Sequence, residues 1–119
     1  MELFDWRGSE LKLLGTDSKC LLDLTDARVG SLHGLSLEDG KFGSSTHGIA
    51  TKRTGYGKHE DSFRIDTCQL AHFSASGMDL NKVWAFNVRH CEMMANRGDG
   101  ITLHSWDGFL LDNWFSGDG

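Results

Sequence analysis

Phe63-Arg64-Ile65-Asp66-Thr67-Cys68-Gln69-Leu70 comes back as Phe86-Asn87-Val88-Arg89-His90-Cys91-Glu92-Met93, and again as Gly108-Phe109-Leu110-Leu111-Asp112-Asn113-Trp114-Phe115. The steps are 23 and 22 residues. Self-similarity at such a period marks a stacked architecture, in which neighbours in space are residues one repeat apart. Within each copy the apolar residues alternate as strands require, since successive side chains point to opposite faces. Ile65, Val88 and Leu110 define one inward column. Cys68, Cys91 and Asn113 define a second, and Leu70, Met93 and Phe115 a third. Leu32, Leu35 and Leu37 enter the same three columns one insertion earlier.

A second strand follows in each repeat. Gly48-Ile49-Ala50-Thr51, Gly77-Met78-Asp79-Leu80 and Gly100-Ile101-Thr102-Leu103 align on their glycines. Ile49, Met78 and Ile101 point inward, as do Thr51, Leu80 and Leu103. Ala50, Asp79 and Thr102 point outward. At the N-terminus a weaker repeat sets Phe4-Asp5-Trp6 against Leu22-Asp23-Leu24, with Leu11, Leu13 and Leu14 filling a strand between them. Residues 39–46 and 53–62, rich in Gly, Ser, Lys and His, read as loops projecting from the wall of the stack. Asp118-Gly119 reads as the start of a further glycine-led strand. The expectation is an all-β chain, a right-handed parallel β-helix of four to five turns. Residues 1–119 form a single segment of it, part of a longer β-helix domain.

Composition narrows the partners. Twelve Lys and Arg against 17 Asp and Glu give a net charge of −5, the opposite of a phosphate-binding surface, so nucleic acid is not expected. No apolar run of about 18 residues is present, so membrane insertion is not expected either. The first residues lack the basic start and apolar stretch of a secretory signal. Three cysteines without CxxC spacing suggest neither a disulfide framework nor a zinc site, and no metal or cofactor is implied. Fifteen glycines supply many tight corners, and no window holds a helical stripe free of glycine or strand-like alternation.

Gly34-Leu35-Ser36-Leu37-Glu38-Asp39-Gly40, the repeated Val/Ile-x-x-Cys/Asn turns and Asn96-Arg97-Gly98-Asp99-Gly100-Ile101-Thr102-Leu103 resemble the pectin-lyase-like right-handed parallel β-helices. The opening (Trp6-Arg7-Gly8-Ser9, then Leu21 to Ala27) and Asp112-Asn113-Trp114-Phe115-Ser116-Gly117 are similar to bacteriophage tailspike depolymerases within that group. The resemblance spans almost the whole chain. It implies a homotrimer on a virion tail, extracellular, that binds bacterial surface polysaccharide and often cleaves it. Pectinases and epimerases share the fold, so a carbohydrate enzyme of that kind is a second expectation. A purely structural or adhesive stack without catalysis is a third.

Two groups of residues carry the chemistry these readings need. His47, Ser76, Asp99 and Asp118 precede the glycine-led strands and fall in one column. At the ~4.8 Å strand spacing, Asp99 and Asp118 would face each other as the carboxylate pair of a retaining glycosidase. Asp99-Gly100-Ile101 also resembles the strand start that bears a catalytic carboxylate in polygalacturonases, although the Asp-Asp and Gly-His-Gly motifs of that family are missing. The plainer reading is that Asp-Gly is a good turn. The outward residues Asp79, Asn81, Thr102 and His104 form a candidate substrate-binding strip. Trp84 and Trp106, 22 residues apart, either extend it as a sugar platform or fill a corner or an interface. Cys68 and Cys91 read as small buried hydrophobes. The basic run from Lys52 to His59 reads as a solvated loop.

Overall fold

A computed structural model of the chain describes residues 2–4, 10–13, 20–27, 30–39 and 46–119. Twelve strands follow one another: β1 (Glu2–Phe4), β2 (Glu10–Leu13), β3 (Cys20–Asp23), β4 (Gly30–His33), β5 (Ser36–Asp39), β6 (His47–Lys52), β7 (Phe63–Asp66), β8 (Gln69–Ala71), β9 (Met78–Arg89), β10 (Glu92–Met94), β11 (Ile101–Leu111) and β12 (Trp114–Ser116). Seven form one sheet in the order β1-β4-β7-β9-β6-β3, with β11 on β9. Five form a second, in the order β12-β10-β8-β5-β2. Every pairing is parallel. Parallel neighbours need a long crossover, usually a helix. Here the crossover is the other sheet, and among the described residues no helix occurs.

The predicted columns are in register. Leu32, Ile65, Val88 and Leu110 are successive partners, as are Leu37, Leu70, Met93 and Phe115. Ile49, Met78 and Ile101 form the column of the glycine-led strands. The internal members of these columns are fully buried and, with Cys68, Cys91, Phe73 and Val83, make one continuous core.

The right-handed parallel β-helix expected from the sequence is corrected by the strand topology. The described residues form two parallel sheets, the larger curled into a half-barrel, and no right-handed β-helix is evident. The reason lies in β9. Two strands with a corner between them were expected at residues 77–80 and 86–89; left-handed backbone at Lys82 and Ala85 (φ 60° and 65°) does bend the chain there, but pairing continues through the bend as one twelve-residue strand. Its first part pairs β6 through Met78–Asn81 and its last part pairs β7 through Asn87–Arg89, so the two strand sets merge into one sheet. The N-terminal repeat is also corrected. β1 pairs β4 whereas β3 pairs β6, so Phe4 and Leu22 do not share a column. Strand β2 does form, against β5. Trp6, Leu14 and residues 40–45 lie outside the described residues.

Left-handed backbone, mostly at non-glycine residues, turns the corners. Gly34, Thr67, His90 and Asp112 have φ of 71°, 54°, 53° and 52°, one per repeat. His72, Ala95 and Gly117 repeat the device at 64°, 52° and 67°. Each such L-residue costs about 1–2 kcal/mol. The conformation persists because it keeps the ladder unbroken: the N–H of Thr67 donates to the Arg89 carbonyl at 3.1 Å and that of His90 to the Leu111 carbonyl at 3.0 Å.

Two asparagines finish the core where stacked hydrophobes give way. The Asn113 amide accepts from the Cys91 N–H at 3.0 Å and donates to the Val88 carbonyl at 3.0 Å. Asn96, 1% exposed, accepts from the Phe73 N–H at 3.0 Å and donates to the Leu70 carbonyl at 3.3 Å and to Asp118 Oδ1 at 2.8 Å. Both amides satisfy buried backbone groups that would otherwise cost free energy.

Candidate functional site: the outer face of strands β6, β9 and β11

The glycine column sets this face. A Cβ on Gly48 would lie 2.5 Å from the Gly77 carbonyl oxygen, and one on Gly77 would lie 2.8 Å from that of Gly100. Only glycine permits this approach of one backbone to the next. The residues that follow are thereby brought into rows. Asp79 is the partner of Thr102, and Asn81 is the partner of both Lys52 and His104. The predicted strip is therefore contiguous on neighbouring strands.

Hydrogen bonds order it from behind. The Ser76 backbone N–H donates to His47 Nδ1 at 3.1 Å, which leaves the ring proton on Nε2, 3.5 Å from the Asp79 carboxylate. Nε2 is thus the ring atom that faces Asp79. The Ser76 and Thr102 hydroxyls are 3.1 Å apart. Thr51 Oγ1 donates to the Asn81 carbonyl and accepts from the Asn81 N–H, at 2.9 and 2.7 Å. The Asn81 amide donates to the Arg53 carbonyl at 3.3 Å.

Arg53 is the residue that sequence reasoning missed. The stretch around it is no loose basic loop. Arg53 Nε donates to the Thr25 carbonyl at 2.9 Å, its Nη2 donates to the Ala27 carbonyl, and its Nη1 lies 2.7 Å from Asp61 Oδ2. Asp61, 3% exposed, accepts from the Trp84 N–H at 2.8 Å and donates its own N–H to the Trp84 carbonyl at 2.8 Å. A paired charge at such depth is tolerated because its hydrogen bonds are complete. This clamp fixes residues 53–62 against β9 and presents Tyr56 to Trp106, with ring centroids 3.7 Å apart and planes within 9°. Trp84 meets Trp106 edge-on at 6.0 Å, and Lys82 Nζ lies 5.1 Å above the Tyr56 ring. Nothing in the linear order of Arg53, Tyr56 and Asp61 announces the clamp, because its partners at Thr25 and Trp84 are more than twenty residues away.

A recess of about 370 Å³ opens beside this cluster, between Thr25, Asp26, Lys52, Arg53, Tyr56 and Asp61. It is within the ~300–1,000 Å³ range of small-ligand sites. The turn at its rim is held by Asp23, whose carboxyl the Thr25 hydroxyl and N–H keep below the usual carboxylate range. Strip, recess and aromatic cluster adjoin one another through Lys52, the partner of Asn81.

The two predicted catalytic carboxylates belong to different rows. Met94 is the partner of Ser116, so Asp118 falls opposite Asn96, and its Oδ1 accepts the Asn96 N–H at 3.0 Å as well as the amide. Asp99 is exposed in the column of His47 and Ser76. The shared Asp-Gly dipeptide suggested an alignment of 19 residues, whereas the strands keep a register of 22.

The two stacked thiols are buried and free, with Cys91 1% exposed. Its hydrogen bond with Cys68, and then burial, hold the Cys91 thiol far above its ordinary value. Comparison with protein-family models, with curated proteins and with solved structures finds no match.

Proposed function

We propose that this chain binds a polysaccharide, of the kind found on bacterial surfaces, along the outer face of β6, β9 and β11. The observation that carries the reading is the adjacency of a contiguous polar row (Asp79, Thr102, Asn81, His104) to a half-exposed tryptophan, Trp106, held flat against Tyr56. Sugar rings offer hydroxyls at their rims and apolar C–H faces, and this surface has hydrogen-bonding groups and an aromatic face in sequence along one strand. The Asp79 carboxylate within the row, on a chain of net charge −5, favours a neutral polyhydroxylated ligand over a polyanion. Binding is the reading that this row supports; Asp118 Oδ1 takes its hydrogen bonds from Asn96.

The test is a bacterial glycan array probed with the purified chain. Trp106→Ala and Asp79→Asn should each weaken binding at least about tenfold, with circular dichroism unchanged. Incubation with capsule or lipopolysaccharide should release no oligosaccharide, and Asp99→Asn should leave that result as it is. Full retention of binding by both Trp106→Ala and Asp79→Asn would remove this face from the function.

A further inference from the structure

A second outward row, Arg64, Asn87 and Phe109, lies further along the same sheet, beyond Trp84 and Trp106. Two residues before its members stand Ser62, Ala85 and Asp107. All three hold left-handed backbone, with φ of 53°, 65° and 38°. None is a glycine, so the bend costs free energy in three successive layers, and such strain gathers where a ligand is clamped. Beside the bend opens a recess of about 390 Å³, lined by both rows together with Glu60, Phe63 and Phe86. Its volume falls in the ~300–1,000 Å³ range of small-ligand sites. Strands β7 and β9, which carry its centre, each have paired neighbours on both sides, so the recess belongs to the interior of the sheet.

We infer that this recess receives the acetamido group of a 2-acetamido sugar in the polysaccharide, an inference that rests on the function proposed above. An acetamido group asks for a donor to its carbonyl, an acceptor for its N–H and an apolar surface for its methyl. The donor is set by Arg89. Its Nε donates to Asn87 Oδ1 at 3.2 Å, and because a guanidinium only donates, the Asn87 amide is oriented with its NH2 group left unused among the described residues. The exposed Arg64 guanidinium, in the same row, is a second donor. The acceptors are the Glu60 and Asp107 carboxylates, neither of which has an ion-pair partner among the described residues. Ala85, Phe63 and Phe86 supply the apolar lining. Charge selects the neutral group. A uronate would meet Glu60 and Asp107, and a free ammonium would meet Arg64. A plain hydroxyl would leave the apolar lining against water. One ligand can reach both rows. From His104 to Phe109 is five residues of strand, at most about 17 Å, the span of a few linked sugar rings.

The test is a backbone-amide NMR titration of the full chain with N-acetylglucosamine, N-acetylgalactosamine and N-acetylmannosamine, each beside its parent hexose. At least one acetamido sugar should give saturable shifts at residues 60–64 and 85–87, with its hexose at least about tenfold weaker. Arg64→Ala, and Asn87→Asp, which exchanges the donor for an acceptor, should each weaken that response at least about tenfold with circular dichroism unchanged. Asp79→Asn and Trp106→Ala should leave it as it is, so the recess and the polar row fail separately. On the glycan array the bound polysaccharides should contain 2-acetamido sugars. Array binding confined to glycans without them would overturn this inference and leave the proposed function standing. A hexose as strong as its acetamido sugar, N-methylacetamide as strong as either, no saturable shift at these residues, or a response unaltered in both Arg64→Ala and Asn87→Asp would overturn it as well.

Discussion

Strands β9 and β11 run side by side in near-perfect register and differ in almost everything else. Val88 is 0% exposed and its partner Leu110 is 45% exposed; Leu80 is 1% exposed and Leu103 37%. The inward columns of the two strands match, so the difference at those positions comes from neighbours. β9 is flanked by β6 and β7 on one side and β11 on the other, whereas β11 has β9 alone. Burial in a stacked parallel fold belongs to the column and to the layers on either side of a residue. A hydrophobic residue with a neighbouring strand on one side only contributes less to the core.

The largest expected effect separates the two strands directly. Val88→Asp places an unpaired carboxylate in a fully enclosed site and should cost about 3 kcal/mol or more, enough to unfold the chain. Leu110→Asp should cost under about 1 kcal/mol, since its position stays hydrated. Thermal denaturation followed by circular dichroism measures both. Equal midpoints would break the comparison.

The glycine column gives a finer contrast. Alanine at Gly48 meets a backbone carbonyl at 2.5 Å and the side chains of Leu70 and Phe73 at 2.8 Å, all deep in the stack. The clash cannot relax, and Gly48→Ala should destabilise by about 2–3 kcal/mol. At Gly100 the nearest atoms, at 2.3 and 2.7 Å, belong to the ring of Phe115, a half-exposed side chain on the open edge. That ring can swing away, so Gly100→Ala should cost less than about 1 kcal/mol. Urea titration of both variants decides whether the terminal layer is the softer one.

The smallest effect is read from pH. The folded Cys91 thiol keeps its proton well past its ordinary value of 9.0. The unfolded thiol does not, so Cys91 stabilises the fold fully below that value and the contribution is lost as pH rises above it. Urea midpoints should therefore fall between about pH 8 and about pH 10, and Cys91→Ala should flatten part of that slope. An identical slope in wild type and variant would show that burial of the inner column does not reach Cys91.

Much of the packing was legible in the sequence. Ile65, Val88 and Leu110, like Leu70, Met93 and Phe115, fell into register because strand alternation and a fixed period together fix both the face and the neighbour of each residue. The rows of Asp79 with Thr102 and of Asn81 with His104 followed from the glycine alignment for the same reason. The clamp of Arg53 and Asp61 was not legible, since its partners at Thr25 and Trp84 lie in other repeats. Asp118 falls in the row of Asn96 rather than that of Asp99, because a shared dipeptide is a weaker guide to register than the strand before it.

By itself, then, the sequence determined the parallel stacking, the inward columns and the outer polar row, all of which depend on local alternation repeated at a constant step. Tertiary structure alone decided how many sheets those strands make. Residues 81–86 bend at Lys82 and Ala85, and whether pairing breaks or runs on through the bend depends on what lies beside them. The contacts of β9 with β6 and β7, and the clamp that seats residues 53–62 over Trp84, keep that stretch within one strand and join seven strands in one sheet. Tertiary structure also decided which hydrophobes are core and which are surface, because Val88 and Leu110 are equivalent in pattern and differ only in whether a further strand covers them.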